Sequence, residues 1–248
     1  MRHVLALLIF VIGATAMSGV ARAADPACER RELQGRKVVI CTLDTTRQSV
    51  RTYWLDRTGT PYGSLSGIDR RAADQPGAML FAMNAGMYHE DLSPVGLYVE
   101  AGKQLHKPST AGGPGNFHMR PNGVFYVTGR TVGVSETRRY LAKPPAADFA
   151  SQSGPMLVID GKLHPKFTGE GTSAKIRNGV GVRGTSTAFF VISEEPVTFT
   201  EFAKMFRDDL KCRNALYFDG SISSLYAPSV NRSDSFMRLG PIVAGFAR

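Results

Sequence analysis

The chain has no GxxxxGK[ST] phosphate loop, no GxGxxG placed after a strand, no HExxH, no CxxC and no GxSxG. The usual signatures of nucleotide hydrolysis, dinucleotide binding, zinc chemistry and nucleophile-elbow hydrolases are therefore missing, and no cofactor or metal is expected. Beyond the N-terminus no stretch is apolar enough to span a membrane, and no Pro/Ser-rich linker or change of composition divides the chain. Tryptophan occurs once, so the exposed aromatic platforms of a glycan-binding module are scarce, and Tyr53-Trp54 reads as part of a buried strand. Cysteine is also scarce, with three residues.

What is present begins with a leader. Met1-Arg2-His3 is a short basic start, Val4 to Met17 is almost unbroken apolar sequence, and Ala21-Arg22-Ala23 is a small-x-small site. This predicts a signal peptide over 1–23, a mature domain over 24–248, and a periplasmic or secreted protein without stable membrane insertion. Removing the leader takes away Arg2 and Arg22 and no acid, so most of the formal charge of +9 persists. A basic balance suits anionic partners, though solubility alone explains it equally well.

Exported cysteines favour a disulfide, and three leave one thiol over. If Gln34-Gly35 is a two-residue hairpin turn, Cys28 stands directly across from Cys41 as a non-hydrogen-bonded pair, close enough to bridge. Cys41 with Cys212 is the alternative, tying the start of the domain to a late strand.

Most of the mature chain reads as short β runs separated by turn residues. Hairpins are expected at Ala101-Gly102, at Thr128-Gly129-Arg130, at Asp160-Gly161 and at Arg183-Gly184-Thr185. Thr198 and Glu201 have capping-box spacing, Val197 and Phe202 can form a hydrophobic staple, and Phe202, Met205, Phe206 and Leu210 share a face. A helix is predicted from Phe199 to Leu210, and a weaker one over Glu136 to Ala142 before Pro144-Pro145. The order implies an α+β single domain of mostly antiparallel β-hairpins, with a few helices packed on the sheet.

Four Gly-rich polar segments each sit where a strand ends: Asn84-Ala85-Gly86-Met87-Tyr88, Ser153-Gly154-Pro155-Met156-Leu157, Arg177-Asn178-Gly179-Val180-Gly181 and Asp219-Gly220-Ser221-Ile222-Ser223-Ser224. In this order, with PVGLYVE and PNGVFYV between them, they resemble the phosphodiester glycosidase family and its bacterial periplasmic branch. The family's hallmarks are an NGG-aromatic segment, an SGP-apolar segment, an R-x-x-x-G segment entering a strand, and a late DGGGS-type loop. The resemblance implies hydrolysis of a sugar-1-phosphodiester between the anomeric carbon and its oxygen, on envelope glycans or exopolysaccharide. Here Ala85 replaces the middle glycine of NGG, and Ser221 and Ile222 replace two glycines of the late loop, so the substrate is left open.

Such a reaction passes through an oxocarbenium-like transition state that wants a carboxylate, while the departing phosphate wants cations and N–H donors. Asp219 is the first candidate carboxylate and Glu194 the second; a turn-capping aspartate and a surface-loop acid are the plain alternatives. Arg177 is the candidate phosphate partner, its planar fork suiting phosphate oxygens, with Asn178 beside it; a surface ion pair is the alternative. Asn84, Ser153, Gly220, Ser221 and Ser223 are candidates to bind sugar or phosphate, while Gly86 and Gly154 would leave room for it. The basic loop after Gly112 adds His118 and Arg120. The other histidines, His89, His106 and His164, are isolated and read as surface or structural residues. No nucleic-acid partner is indicated and the oligomeric state is open. The competing functions are a catalytically silent glycan-binding module and a phosphodiesterase that cuts the P–O bond.

Overall fold

A computed structural model describes residues 27–71, 77–169, 171–220 and 222–248. The expected leader, its cleavage point near Ala23, and Ser221 lie outside the described residues.

The hairpins follow from their turn residues. β1 (Cys28–Leu33) and β2 (Arg36–Asp44) meet at Gln34-Gly35, whose φ values of 50° and 69° are the left-handed pair that a two-residue turn requires. The register sets Cys28 opposite Cys41. The next pair outward is hydrogen-bonded, Thr42 N–H donating to the Ala27 carbonyl, so Cys28 and Cys41 form a close, non-hydrogen-bonded pair. Their Cα atoms are 4.0 Å apart and the sulfurs are bonded. Pairing of Cys41 with Cys212 is overturned: Cys212 is a buried free thiol in a different core cluster, and burial pushes it up to about 12. Replacing both bonded cysteines with alanine is expected to cost about 3 kcal/mol, because the bond closes a loop of 13 residues. Urea midpoints of the two proteins measure this, and coincident midpoints would show that the bond constrains little.

After β3 (Gln48–Tyr53), α1 (Leu65–Arg71) and β4 (Met79–Asn84), the strands β5 (Tyr98–Glu100) and β6 (Lys103–His106) turn at Ala101-Gly102. β7 (Gly123–Thr128) and β8 (Thr131–Glu136) turn at Gly129-Arg130. Glu136 then caps α2 (Thr137–Ala142), its carboxylate accepting from the Arg139 N–H. β9 (Phe149–Ser153) precedes a hairpin of β10 (Met156–Ile159) and β11 (Lys162–Leu163), then a hairpin of β12 (Asn178–Arg183) and β13 (Thr187–Ser193). α3 (Phe199–Lys204), β14 (Asn214–Asp219), β15 (Leu225–Ala227), β16 (Arg232–Ser233) and β17 (Ile242–Ala247) complete the order. The expected hairpins and both expected helices are present.

Every ladder between these strands is antiparallel. They form a seven-stranded sheet, β1-β2-β13-β12-β14-β10-β11, and two five-stranded sheets, β16-β15-β4-β17-β3 and β6-β5-β9-β7-β8. The period of two decides which residues meet. Val39, Cys41, Phe190, Ile192, Leu216 and Phe218 point from the large sheet into a core shared with Phe81 and Met83 of β4 and Phe125 and Val127 of β7. Their neighbours Val38, Ile40, Phe189, Val191 and Tyr217 point the other way and are covered by Phe202 and Phe206. Ile68 of α1 and Tyr140 of α2 cover the outer faces of the second and third sheets in the same manner. Central strands are thus apolar on both faces, which explains their unbroken hydrophobic runs. Tyr53 is buried at the end of β3, and the Trp54 ring packs edge-on against Tyr98 at 5.9 Å.

The capping box at Thr198 forms: its hydroxyl accepts from Glu201 N–H at 3.2 Å, and its own N–H donates to the Glu201 carboxylate at 2.8 Å. The predicted helix to Leu210 changes character midway. From Met205 to Asp209 it widens into a π-helical turn, Leu210 N–H bonding back to Met205. That wider turn leaves Met205, Phe206 and Leu210 all buried against the sheet.

Candidate active site

The three sheets are stitched together where β4, β9 and β14 end and β12 begins, and polar side chains make the stitches. Asn178, the first residue of β12, pairs with Asp219 at the end of β14. Its amide Nδ2 donates across to the second sheet, to the Asn84 backbone carbonyl and Oδ1, both at 3.0 Å. Its Oδ1 accepts from the Asp219 N–H at 3.1 Å and from Ser223 Oγ at 3.3 Å. Asn84 Oδ1 also accepts the Ser224 N–H at 2.8 Å, which ties down the far end of the loop after Asp219. From the third sheet, Ser153 Oγ donates to the Phe218 carbonyl at 2.8 Å. Asn84, Ser153 and Asn178 are wholly buried. They are the frame of the loop that carries Asp219, and unmade bonds there would cost about 1–3 kcal/mol each. The Nδ2 of Asn84 is buried with no partner among the described residues.

The space left by the two expected glycines is filled by the protein itself. A Cβ on Gly86 would lie 2.6 Å from Ser151 Oγ, which already accepts the Gly86 N–H at 3.0 Å. One on Gly154 would lie 2.7 Å from Asn122 Cβ and 2.8 Å from the Phe117 carbonyl oxygen. Both residues let neighbouring backbone close in.

Asp219 is half-buried, and its Oδ1 accepts the Gly220 N–H at 2.6 Å. Its side chain faces a cleft of about 470 Å³ lined also by Tyr88, His89, Asn116, His118 and Ile222. Burial, and then the Asp219 charge, push the Tyr88 hydroxyl well above the ordinary tyrosine range. It stays protonated and donates to the Arg238 carbonyl at 3.0 Å. Tyr217, one turn of the pleat away, is likewise driven up by burial, with the Arg177 charge pulling the other way and Asp219 adding to the rise. The Tyr217 hydroxyl lies 3.3 Å from Arg177 Nη1, and the side chain of the cleft residue Asn116 also acts on it, so it stands between the buried arginine and the cleft wall.

Arg177 lies beneath this wall, 1% exposed. Its Nε donates to the Val197 carbonyl at 2.9 Å and Nη2 to the Ser173 carbonyl at 2.7 Å, while the guanidinium carbon sits 3.6 Å from the centre of the Phe199 ring. Among the described residues no carboxylate is within ion-pair distance of it, and burial draws its pKa below the ordinary arginine value.

The other expected residues are dispersed. Glu194 ends in ion pairs with Arg30 at 3.0 Å and Arg232 at 3.9 Å, and does not line the Asp219 cleft. His118 does line it, its Nδ1 bonded to the Ala111 carbonyl at 3.0 Å, whereas Arg120 turns back to the Thr110 carbonyl. Gly220 and Ser223 line a second cleft on the other side of the loop. His164 is buried, stacks on Phe167 and is pushed down to about 4 by burial, so it is a neutral packing residue.

Tyr88, His89 and Asn116 are among the cleft residues that the sequence does not single out, and Tyr217, buried behind the cleft, is a further residue that it does not. Tyr88 and Asn116 belong to Gly-rich segments that it does, so the signal lies in the segments and not in the individual side chains.

The family model for phosphodiester glycosidase matches residues 78–240, a span that contains all of these cleft residues. The uncharacterized protein YigE of Escherichia coli K12 is 37% identical over 185 residues, covering 75% of this chain and 72% of YigE. Two solved structures share the fold. The catalytic domain of zebrafish N-acetylglucosamine-1-phosphodiester alpha-N-acetylglucosaminidase, auto-inhibited by its pro-peptide, aligns at a TM-score of 0.59 with 15% identity over 92% of this chain and 86% of that one. A hypothetical protein from Synechocystis aligns at 0.53 with 16% identity over 89% of this chain, which spans 61% of that protein.

Proposed function

The chain belongs to the phosphodiester glycosidase family, and we propose that it hydrolyses a sugar-1-phosphodiester at the Asp219 cleft, breaking the bond between the anomeric carbon and the phosphate oxygen. The observation that carries this reading is a carboxylate at the end of a buried strand, held by the Gly220 N–H and open to a cleft with imidazole and amide donors on its wall. Asp219 stabilises positive charge on the anomeric carbon and takes a proton from the attacking water. Water supplies the oxygen of the new C1–OH, and the electrons of the broken bond leave with the phosphate. A phosphomonoester has a second pKa of about 6, so it departs with little need of an acid. His118, His89 and Asn116 offer N–H donors to the part of the substrate on the Asp219 side of the loop, and Tyr88 keeps its proton beside Asp219.

Asn84, Ser153, Asn178 and Ser223 act through position, holding the loop rather than the ligand, and Arg177 acts on the wall through Tyr217. Glu194, tied to Arg30 and Arg232, is assigned no chemical step. The leader-like N-terminus and the Cys28–Cys41 bond favour an exported enzyme meeting envelope glycans or exopolysaccharide.

Hydrolysis of a panel of methyl sugar-1-phosphodiesters in oxygen-18 water tests the reading. Label is expected in the sugar. Label in the phosphate would mean cleavage at phosphorus, and glycan binding without turnover of any member would leave a binding module.

A further inference from the structure

The loop after Asp219 separates two clefts. The second, of about 500 Å³, is lined by Gly220, Ser223, Lys175, Arg232, Phe236 and Met237. Its rim is unusual for this protein, because Phe236, 89% exposed, and Met237, 56% exposed, are the large hydrophobic residues that stand out into solvent among the described residues. They are not the tip of a slack loop. Asp234 on one side accepts the Leu225 N–H at 2.9 Å and Arg232 Nε at 3.0 Å. On the other side the Arg238 carbonyl accepts from Tyr88, and Leu239 N–H bonds to Gly63 at 3.0 Å. One foot is therefore pinned where the Asp219 loop rejoins β15, the other to a side chain of the Asp219 cleft itself.

Charge completes the pattern. Arg232 is occupied by Asp234 and Glu194. Lys175 is exposed and has no carboxylate within ion-pair distance among the described residues. An available ammonium and small hydroxyl residues lie next to the reacting loop, with an apolar pair further out. That sequence of groups matches a phosphate ester whose organic part is a hydrocarbon chain.

The geometry points to this second cleft as the aglycone subsite for an apolar, lipid-like alcohol: Lys175 meets the phosphate side, and Phe236 and Met237 cover the first segment of the chain. This rests on the reading of Asp219 as the site of hydrolysis, and it narrows the substrate class to sugar phosphodiesters of lipid alcohols.

Binding of octyl phosphate, methyl phosphate and octanol to the purified chain, measured by titration calorimetry, tests it apart from catalysis. Octyl phosphate is expected to bind at least about tenfold more tightly than methyl phosphate, since covering one side chain of this size is worth about that factor. The double substitution Phe236→Ser with Met237→Ser should reduce the octyl-to-methyl ratio by about tenfold, and Lys175→Gln should weaken octyl phosphate while leaving octanol binding in place. Equal affinities in the wild type, or a ratio untouched by the double substitution, overturn the subsite. The hydrolysis arm uses octyl and methyl sugar-1-phosphodiesters. Turnover of both with equal kcat/KM sinks the subsite and spares the Asp219 reading, whereas selective octyl phosphate binding without any turnover does the reverse.

Discussion

Asp219→Asn is expected to lower kcat/KM on a sugar-1-phosphodiester by about 10³-fold or more while leaving the fold in place. The substitution keeps the shape of the side chain and an Oδ1 that can accept the Gly220 N–H, now 2.6 Å away. The backbone N–H of residue 219 still donates to Asn178, so the stitching of the sheets survives. On the reading proposed above, what goes is the charge that stabilises the anomeric carbon and the base that takes the water proton. The same charge helps to hold the Tyr88 and Tyr217 hydroxyls above their ordinary range, so both should titrate lower in the variant, although burial remains the larger cause. Activity, a thermal melt and a tyrosine absorbance titration together measure this. A folded variant keeping more than about a tenth of the wild-type rate would reduce Asp219 to a turn cap.

How far the sequence alone discloses this fold and site depends on how local each cause is. The pairing of Cys28 with Cys41 follows from a turn six residues away, because an antiparallel register is counted outward from its turn. The hairpins at Ala101-Gly102 and Asp160-Gly161 are legible for the same reason, as is the box at Thr198 and Glu201. The π-helical turn is not, since the same face of Phe202, Phe206 and Leu210 suits either winding, and packing on β10 and β14 decides between them.

At the site, Asn84, Ser153, Asn178 and Asp219 can be picked out because a polar or glycine residue ending a buried strand is visible in one dimension. Their roles are less visible, because what each bonds to lies on another sheet. Asn178 to Asn84 spans 94 residues and Ser153 to Phe218 spans 65. Glu194 illustrates the opposite failure. It sits one residue beyond a strand, as a site acid would, but its environment is set by Arg30 and Arg232, on elements at the two ends of the chain. Tyr88 is hidden within a legible segment, since nothing in the sequence says that its ring faces Asp219 and not the core.

Arg177 is where the location of a charge most changes its expected role, and it supports the second large prediction. A surface arginine that grips phosphate should, when removed, raise KM and leave stability alone. This one is 1% exposed, with two backbone carbonyls, one tyrosine hydroxyl and two aromatic rings around it. Arg177→Ala would strand the Val197 and Ser173 carbonyls without donors and open a cavity under Phe199, each a loss of about 1–3 kcal/mol. Against this, an unpaired cation no longer has to be kept out of water, and no carboxylate is left behind. The net loss is expected to be about 2–4 kcal/mol, less than for breaking a buried ion pair, and visible as a fall in melting temperature of about 4–16 °C. Arg177→Met refills most of the volume and should recover part of that loss, but it restores no bond to Tyr217. If Arg177 positions the wall through Tyr217 and Asn116, the folded Met variant will lose kcat by about tenfold or more with KM little changed, because the altered wall is felt most where charge develops. A rise in KM alone, at unchanged stability and kcat, would instead return Arg177 to direct contact with the phosphate.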